Sequence, residues 1–190
     1  MKILVCCSGG GSNFRSIIES GFGLQSYEVC LLLVDRECGA IEVARRYEIP
    51  YKSINLKKIN GWEEFLKIAS DFDLVVLAGF MPILPKEVIA RFTKAIINTH
   101  PSLLPNHGGH GMYGVKVQES VLAAGESFAG CTVHLVTEEV DGGRILGQTK
   151  FQIPSGISPW VLGGMVHEQE KLLLPSIIDQ IASGGIEIEI

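Results

Sequence analysis

Short apolar runs of strand length alternate with segments of helical periodicity through the first half of the chain, and this alternation limits the possible folds more than any other feature. Lys2–Cys7 reads as a buried strand. In the next segment, Asn13–Ser20, the spacing puts Phe14, Ile17 and Ile18 on one helical face, and Gly21 is expected to stop the helix. Tyr27–Val34 is a second strand, Ala40–Tyr47 a short helix and Pro50–Ile54 a short extended piece. Gly61–Ser70 is a helix leading into the strand Leu74–Ala78, and Lys86–Phe92 a helix leading into the strand Ala95–Asn98. Repetition of this kind favours parallel pairing through right-handed crossovers, so the expectation is an open α/β sheet. After Asn98 the prolines at 101 and 105 and the glycine-rich segment Gly108–Gly114 keep the backbone irregular until a helix resumes near Val117–Ala124. Loops of that length inside a compact domain usually carry function. Thr132–Val136 and Ile145–Phe151 then read as strands around the turn Glu138–Gly143, and Pro159–Ser183 as a closing helix. With no internal repeat, low-complexity linker or shift in composition, residues 1–190 are expected to form a single domain.

Charge and composition narrow the function classes. The chain carries 16 Lys+Arg against 21 Asp+Glu, a net charge of −5, which argues against a reader of nucleic-acid backbones while leaving room for a local anion pocket. With 46% hydrophobic residues there is material for a core, and disorder is excluded as the main state. The apolar start of the chain ends at Ser8–Gly11, too early for a secretory segment, and no stretch approaches the roughly 20 apolar residues needed to cross a bilayer. A soluble cytoplasmic protein is therefore expected. The five cysteines, Cys6, Cys7, Cys30, Cys38 and Cys131, contain no C-x-x-C pair and read as core or near-core thiols, not as a disulfide framework or a zinc ribbon.

Four clusters bear on chemistry. Ser8-Gly9-Gly10-Gly11-Ser12-Asn13 lies between a strand and a helix, where glycines bring backbone N–H groups near an anion and the helix dipole points at the same place. It is neither a Walker A loop nor a complete G-x-G-x-x-G, so a plain βα turn stays open beside phosphate binding, and Asp35 keeps a dinucleotide reading weakly alive. Asn98 and His100 project to the same side at the end of a buried strand, where an amide and an imidazolium can both donate to one developing oxyanion. Asp141, in Asp141-Gly142-Gly143, is either a turn residue or, if the turn folds over that strand end, a carboxylate that holds the imidazole, favours its charged form and orders a water. His167 and Glu170 share a helical face, for which simple solvation is the competing reading. His107 and His110 raise the question of a metal, but the glycine-rich segment around them offers no ligand scaffold and none is expected.

These strings together resemble the phosphoribosylglycinamide formyltransferase family of the formyltransferase superfamily, over Lys2 to about Asp179. The resemblance rests on Ser8–Asn13, on Ala78-Gly79-Phe80-Met81, on Ile97-Asn98-Thr99-His100-Pro101-Ser102-Leu103-Leu104-Pro105, on Val133–Val136 with Asp141-Gly142-Gly143, and on Glu170. It implies a Rossmann-like, mostly parallel sheet with helices on both faces, and transfer of a formyl group from the co-substrate 10-formyltetrahydrofolate to the amine of 5-phosphoribosylglycinamide in purine synthesis. By position, Asn98, His100 and Asp141 match the family's catalytic trio. Gly11, Ser12, Asn13 and His167 match the substrate-phosphate site, Glu170 a substrate contact, and Met81, Ile83, Leu84, Val136 and Val140 the folate pocket. The implied partners are these two small molecules, without metal, nucleic acid or membrane, in a monomer or homodimer. The chain departs from the pattern at Pro82, where many relatives carry arginine, at Lys116 and Gln118, where histidines are common, and at His110, which replaces a lysine.

Three other functions compete. A formyltetrahydrofolate hydrolase shares the trio but usually carries an N-terminal regulatory domain, whereas Met1 opens directly into the first strand. Methionyl-tRNA formyltransferase adds a C-terminal RNA-contacting domain and a basic surface. A non-catalytic phosphate-binding module would leave Asn98, His100 and Asp141 together by coincidence.

Overall fold

A computed structural model describes residues 1–24 and 26–188. Strands β1 (Lys2–Cys7), β2 (Glu28–Val34), β3 (Tyr51–Ser53), β4 (Leu74–Leu77), β5 (Ala95–His100), β6 (Phe128–Leu135) and β7 (Ile145–Gln152) form one sheet in the order β3-β2-β1-β4-β5-β6-β7. Pairing is parallel from β3 to β5 and antiparallel for β6 and β7, so the mostly parallel sheet expected from the alternation is present. Ile3 to Cys7 of β1 are all fully buried, which is why that strand is an unbroken apolar run.

Helices α1 (Ser12–Leu24), α2 (Ala40–Arg46) and α6 (Pro159–Ala182) cover one face, packing on Ile3, Val5, Val76, Ile97 and Val133. Helices α3 (Gly61–Ala69) and α4 (Lys86–Arg91) cover the other, on Leu4, Cys6, Val75 and Ile96. A smaller cluster joins α5 (Val115–Ala123) to α6 through Val121, Leu162 and Val166. The chain runs outward from β1 to β3 and then returns to β4 on the far side of β1. Connections leaving β1 and β4 therefore diverge, and the crevice between them is where ligands of open α/β sheets bind.

Three differences of boundary from the sequence reading have a physical reason in the packing or pairing. Gly21 does not stop α1, which continues to Leu24. A Cβ at Gly21 would stand 2.9 Å from the Tyr27 ring, whose hydroxyl donates to the Ile17 carbonyl at 2.8 Å, so the glycine lets the ring lie against the helix. β5 continues past Asn98 to His100 through pairing with β6, and β6 begins at Phe128, before Thr132, because Phe128 to Cys131 pair with β7. In α6, Ser158 caps the first turn by accepting from the Val161 N–H, with Pro159 at the first helical position. The buried stripe of α6 runs Leu162, Val166, Glu170, Leu174 and Ile178, a four-residue repeat with one carboxylate inside it. Among the described residues no helix is long and apolar enough to cross a membrane. Cys6, Cys7 and Cys131 are buried, Cys30 and Cys38 half-buried; burial pushes the Cys131 thiol up to about 11, which makes it a poor nucleophile.

The β6–β7 connection is built tightly. Asp141 has φ 58°, and a Cβ at Gly143 would run into the Leu135 carbonyl oxygen. Gly143→Ala is expected to cost about 1–3 kcal/mol through forced displacement of the hairpin. The reading is a lower urea midpoint at constant m-value, and an unchanged midpoint would show that the turn relaxes without strain.

Candidate active site

A cavity of about 890 Å³ opens along the carboxyl edge of β1, β4 and β5 and receives residues from every cluster singled out in the sequence. At one end is the turn after β1. Gly11 has φ 79°, and a Cβ there would lie 2.7 Å from the Ala40 Cα, so only glycine permits this approach of α1 to α2. Gly9 and Gly10 are exposed, leaving their backbone open beside the α1 N-terminus. Ser12 Oγ is 2.6 Å from His167 Nε2, and His167 Nδ1 is 2.9 Å from Glu170 Oε2. Because a carboxylate oxygen only accepts, Nδ1 carries a proton, and the Nε2 edge is left for Ser12 or for an anion.

Glu170 is 7% exposed, and the solvated reading of this helix face does not hold for it. Its Oε1 accepts from Thr99 Oγ1 at 3.2 Å, and its Oε2 from Asn13 Nδ2 at 3.2 Å as well as from His167. A buried carboxylate without such partners would be strongly penalised, so this one is tied to α1, β5 and α6 together. The hydrogen bond to Glu170 raises the His167 pKa, although burial opposes the shift.

At the other end lie the β5 terminus and the hairpin. His100 is 4% exposed. Its Nε2 is 3.0 Å from the His107 carbonyl oxygen and its Nδ1 3.4 Å from Asp141 Oδ2. Both partners only accept, so a doubly protonated ring would satisfy both contacts, and the Nδ1 contact, being the longer and weaker, can be shared with a second acceptor. Asp141 Oδ2 also accepts from the Gly109 N–H at 2.9 Å, and a Cβ at Gly108 would come 3.3 Å from the Asp141 Cβ. Glycine in the 108–109 segment is therefore what lets the loop close over the carboxylate. His107 is itself anchored through Nδ1, 2.8 Å from Ser120 Oγ.

His134 was not singled out in the sequence reading. It faces Asn98 across the β5–β6 ladder, with Nε2 3.2 Å from Asn98 Nδ2 and Nδ1 2.9 Å from the Leu135 carbonyl oxygen. Its Nε2 is 3.6 Å from Asp141 Oδ1. Burial is the main cause that pushes its pKa down. The sequence signal was available only in part: His134 is two residues from Thr132 on one strand, but its partner strand had to be known.

The apolar wall of the cavity is supplied by Met81, Ile83, Leu84, Val136 and Val140. Of the departures from the family pattern, Pro82 lines the same wall, Lys116 Nζ sits 5.0 Å from the Tyr113 ring centroid, and Gln118 donates from Nε2 to the Pro101 carbonyl at 2.7 Å. Among the described residues the buried side-chain atoms without a partner are Asn13 Oδ1 and Gln118 Oε1, both on residues lining this cavity. Asp35, by contrast, does not line it: its carboxylate accepts from Ser8 Oγ at 2.5 Å and pairs with Arg36 at 2.6 Å. The weak dinucleotide reading thus loses the carboxylate that would hold a ribose.

The formyl transferase family pattern matches residues 1–178. The chain is 39% identical over 181 residues to the chloroplastic phosphoribosylglycinamide formyltransferase of Arabidopsis thaliana, covering 90% of this chain and 62% of that protein. It therefore spans less than two thirds of the length of that relative. Against the phosphoribosylglycinamide formyltransferase of Mycobacterium tuberculosis H37Rv it is 33% identical, covering 98% of this chain and 87% of the relative. The crystal structure of phosphoribosylglycinamide formyltransferase from Anaplasma phagocytophilum superposes with a TM-score of 0.88 at 31% identity, over 100% of this chain and 90% of that one.

The His167 environment gives a pH test. In the folded protein the Glu170 contact raises the His167 pKa, so its stabilisation is fully present below the unfolded value, about 6.5, and is lost as pH rises through the folded value. By NMR, His167 is expected to titrate above pH 6.5 and to move down in Glu170→Gln. A midpoint unaffected by that substitution would remove Glu170 as the cause.

Proposed function

The chain belongs to the formyl transferase family, and from that membership and the cavity we propose that it moves the formyl group of 10-formyltetrahydrofolate to the amine of 5-phosphoribosylglycinamide. The products are formylglycinamide ribonucleotide and tetrahydrofolate, an acyl transfer of purine synthesis. The observation that carries the reading is the continuity of one cavity from an anion-ready loop, through Glu170, to a pair of donors and an apolar slot.

The phosphate of the ribonucleotide sits against Gly11, Ser12 and Asn13 at the α1 N-terminus, with His167 Nε2–H as a second donor. Glu170, between that end and the strand terminus, faces the remainder of the acceptor. The flat folate ring system lies against Met81, Ile83, Leu84, Val136 and Val140, with backbone groups of the same segments at its polar edge. The acceptor amine attacks the formyl carbon directly, so no serine or cysteine nucleophile is needed. As the new C–N bond forms, charge collects on the formyl oxygen, where the Asn98 amide and His100 Nδ1–H donate to it. The attacking nitrogen must lose a proton and the folate nitrogen gain one as its bond to the formyl carbon breaks. Asp141, between the His100 and His134 rings, holds the water that relays that proton.

Incubation with 10-formyltetrahydrofolate should yield tetrahydrofolate only when 5-phosphoribosylglycinamide is present. Equal release without the acceptor would replace transfer with hydrolysis. His100→Ala is expected to lower kcat by about 10²–10⁴ with KM for both substrates little changed, the range for a positioned proton or hydrogen-bond donor; undiminished turnover would remove His100 from the reaction. Ser12→Asp places a negative charge at the anion loop and should raise KM for the ribonucleotide far more than for the folate. Equal losses on both would argue against a phosphate at that loop.

A further inference from the structure

We propose that His134 is a positioning residue for this reaction: its neutral imidazole orients the Asn98 amide, and a proton added to His134 displaces that amide's N–H from the reacting carbonyl. The inference rests on the formyl-transfer reading and adds a device to it, a second imidazole that must stay uncharged while His100 donates.

His134 Nδ1 is 2.9 Å from the Leu135 carbonyl oxygen, which can only accept, so Nδ1 carries the proton of the neutral ring. Nε2 is then a lone pair, and what faces it at 3.2 Å must be a donor, which fixes the nitrogen limb of the Asn98 amide toward His134. Asn98 is half-buried and lines the cavity, so its second N–H is available to a ligand. The two residues are direct partners in the β5–β6 register, and His134 is 2% exposed, so its ring is held beside the Asn98 amide by the surrounding core.

Protonation reverses each of these relations. Nε2 becomes a donor facing another donor, and the conflict is relieved when the Asn98 amide rotates to present its oxygen. The new Nε2–H also has Asp141 Oδ1 at 3.6 Å, so the same carboxylate that stands 3.4 Å from His100 Nδ1 is drawn toward the second ring. One proton therefore disturbs both donors to the developing oxyanion. The groups that act on His134 are Asp141, from the β6–β7 connection, which favours the charged ring, and His100, from β5, which opposes it; burial opposes it most. Burial thus keeps His134 in the form that can accept from Asn98.

The test uses the full chain and two variants. His134→Leu removes the acceptor and is expected to lower kcat at pH 8 by about 10- to 100-fold, with KM for either substrate within about threefold, as for a misplaced reacting group. His134→Gln offers an amide oxygen to Asn98 without titrating, and should recover about tenfold of that loss and make the acid limb of the kcat profile less steep than in the unsubstituted protein. If His134→Leu does not fold, the His134→Gln profile decides alone. An acid limb unchanged in His134→Gln, or kcat unaffected in a folded His134→Leu, would overturn the proposal. A second readout does not depend on activity: the NMR signals of the Asn98 side-chain NH₂ should shift with the midpoint of His134 and lose that midpoint in His134→Gln. Asn98 signals indifferent to His134 would overturn the inference even in an active transferase. Signals that follow His134 in a protein without acceptor-dependent turnover would leave the coupling standing and remove the transfer reading instead.

Discussion

Antiparallel pairing of β5 with β6 sets Asn98 across from His134 and His100 across from Thr132, and a slip of one residue in that ladder would turn the pair on the shifted strand to the opposite face, away from its partners. The rest of the site follows from this register. Thr132 Oγ1 donates to the Ser102 carbonyl and accepts from the Leu104 N–H, so the strand opposite His100 also shapes the chain that leaves it. Gln148 on β7 donates to both the Leu104 carbonyl and Thr132 Oγ1, extending the same support one strand further. The tight β6–β7 connection then brings Asp141 back over the imidazoles. Reversing strand direction at β5 is thus the step by which a parallel sheet acquires a hairpin close enough to its carboxyl edge to supply a carboxylate.

Glu170 plays the corresponding part on the other face. An isolated carboxylate in the apolar stripe of α6 would be driven to neutrality or out to solvent. Here it accepts from Thr99, Asn13 and His167, and in doing so ties β5 and the start of α1 to the closing helix. Asn13 is held by its amide nitrogen while its side-chain oxygen is buried without a partner, whereas Ser8, a few residues earlier, is committed to Asp35 and to the Met81 N–H. Neighbouring polar residues of one turn are thus committed differently, Ser8 to the strand ends and Asn13 to the buried Glu170, a division that composition cannot reveal.

Much of this was legible in the residues. Alternation of buried runs with helical spacing located each strand and helix, because strands buried on both faces have no polar positions to confuse the pattern. It failed at Gly21, where a glycine serves packing of Tyr27 and not termination, at the end of β5, where pairing carries the strand into polar sequence, and at the start of β6, whose first residues, Phe128 to Cys131, pair with β7. The strings at Ser8–Asn13, Asn98–Pro105 and Asp141–Gly143 each contribute to the cavity lining, through Gly9 to Asn13, Asn98 to Pro101 and Asp141, but the distances between them are tertiary facts. Glu170 carried an unread signal, its place in the four-residue repeat of buried positions on α6. His134 carried almost none, since a histidine inside a run of buried residues looks like core until its cross-strand neighbour is known.

The alternation of side chains along β5 has a further consequence. Thr99 reaches Glu170 on the face of α1 and α6, while Asn98 and His100, on either side of it in the chain, reach His134 and Asp141 on the other. One extended strand thus serves both ends of the cavity, and neighbouring residues on it are offset by one peptide repeat, roughly 3.3 Å. Such a spacing is written in covalent bonds and cannot be tuned by side-chain rearrangement. The backbone itself fixes the distance between the Glu170 end of the cavity and its imidazole end.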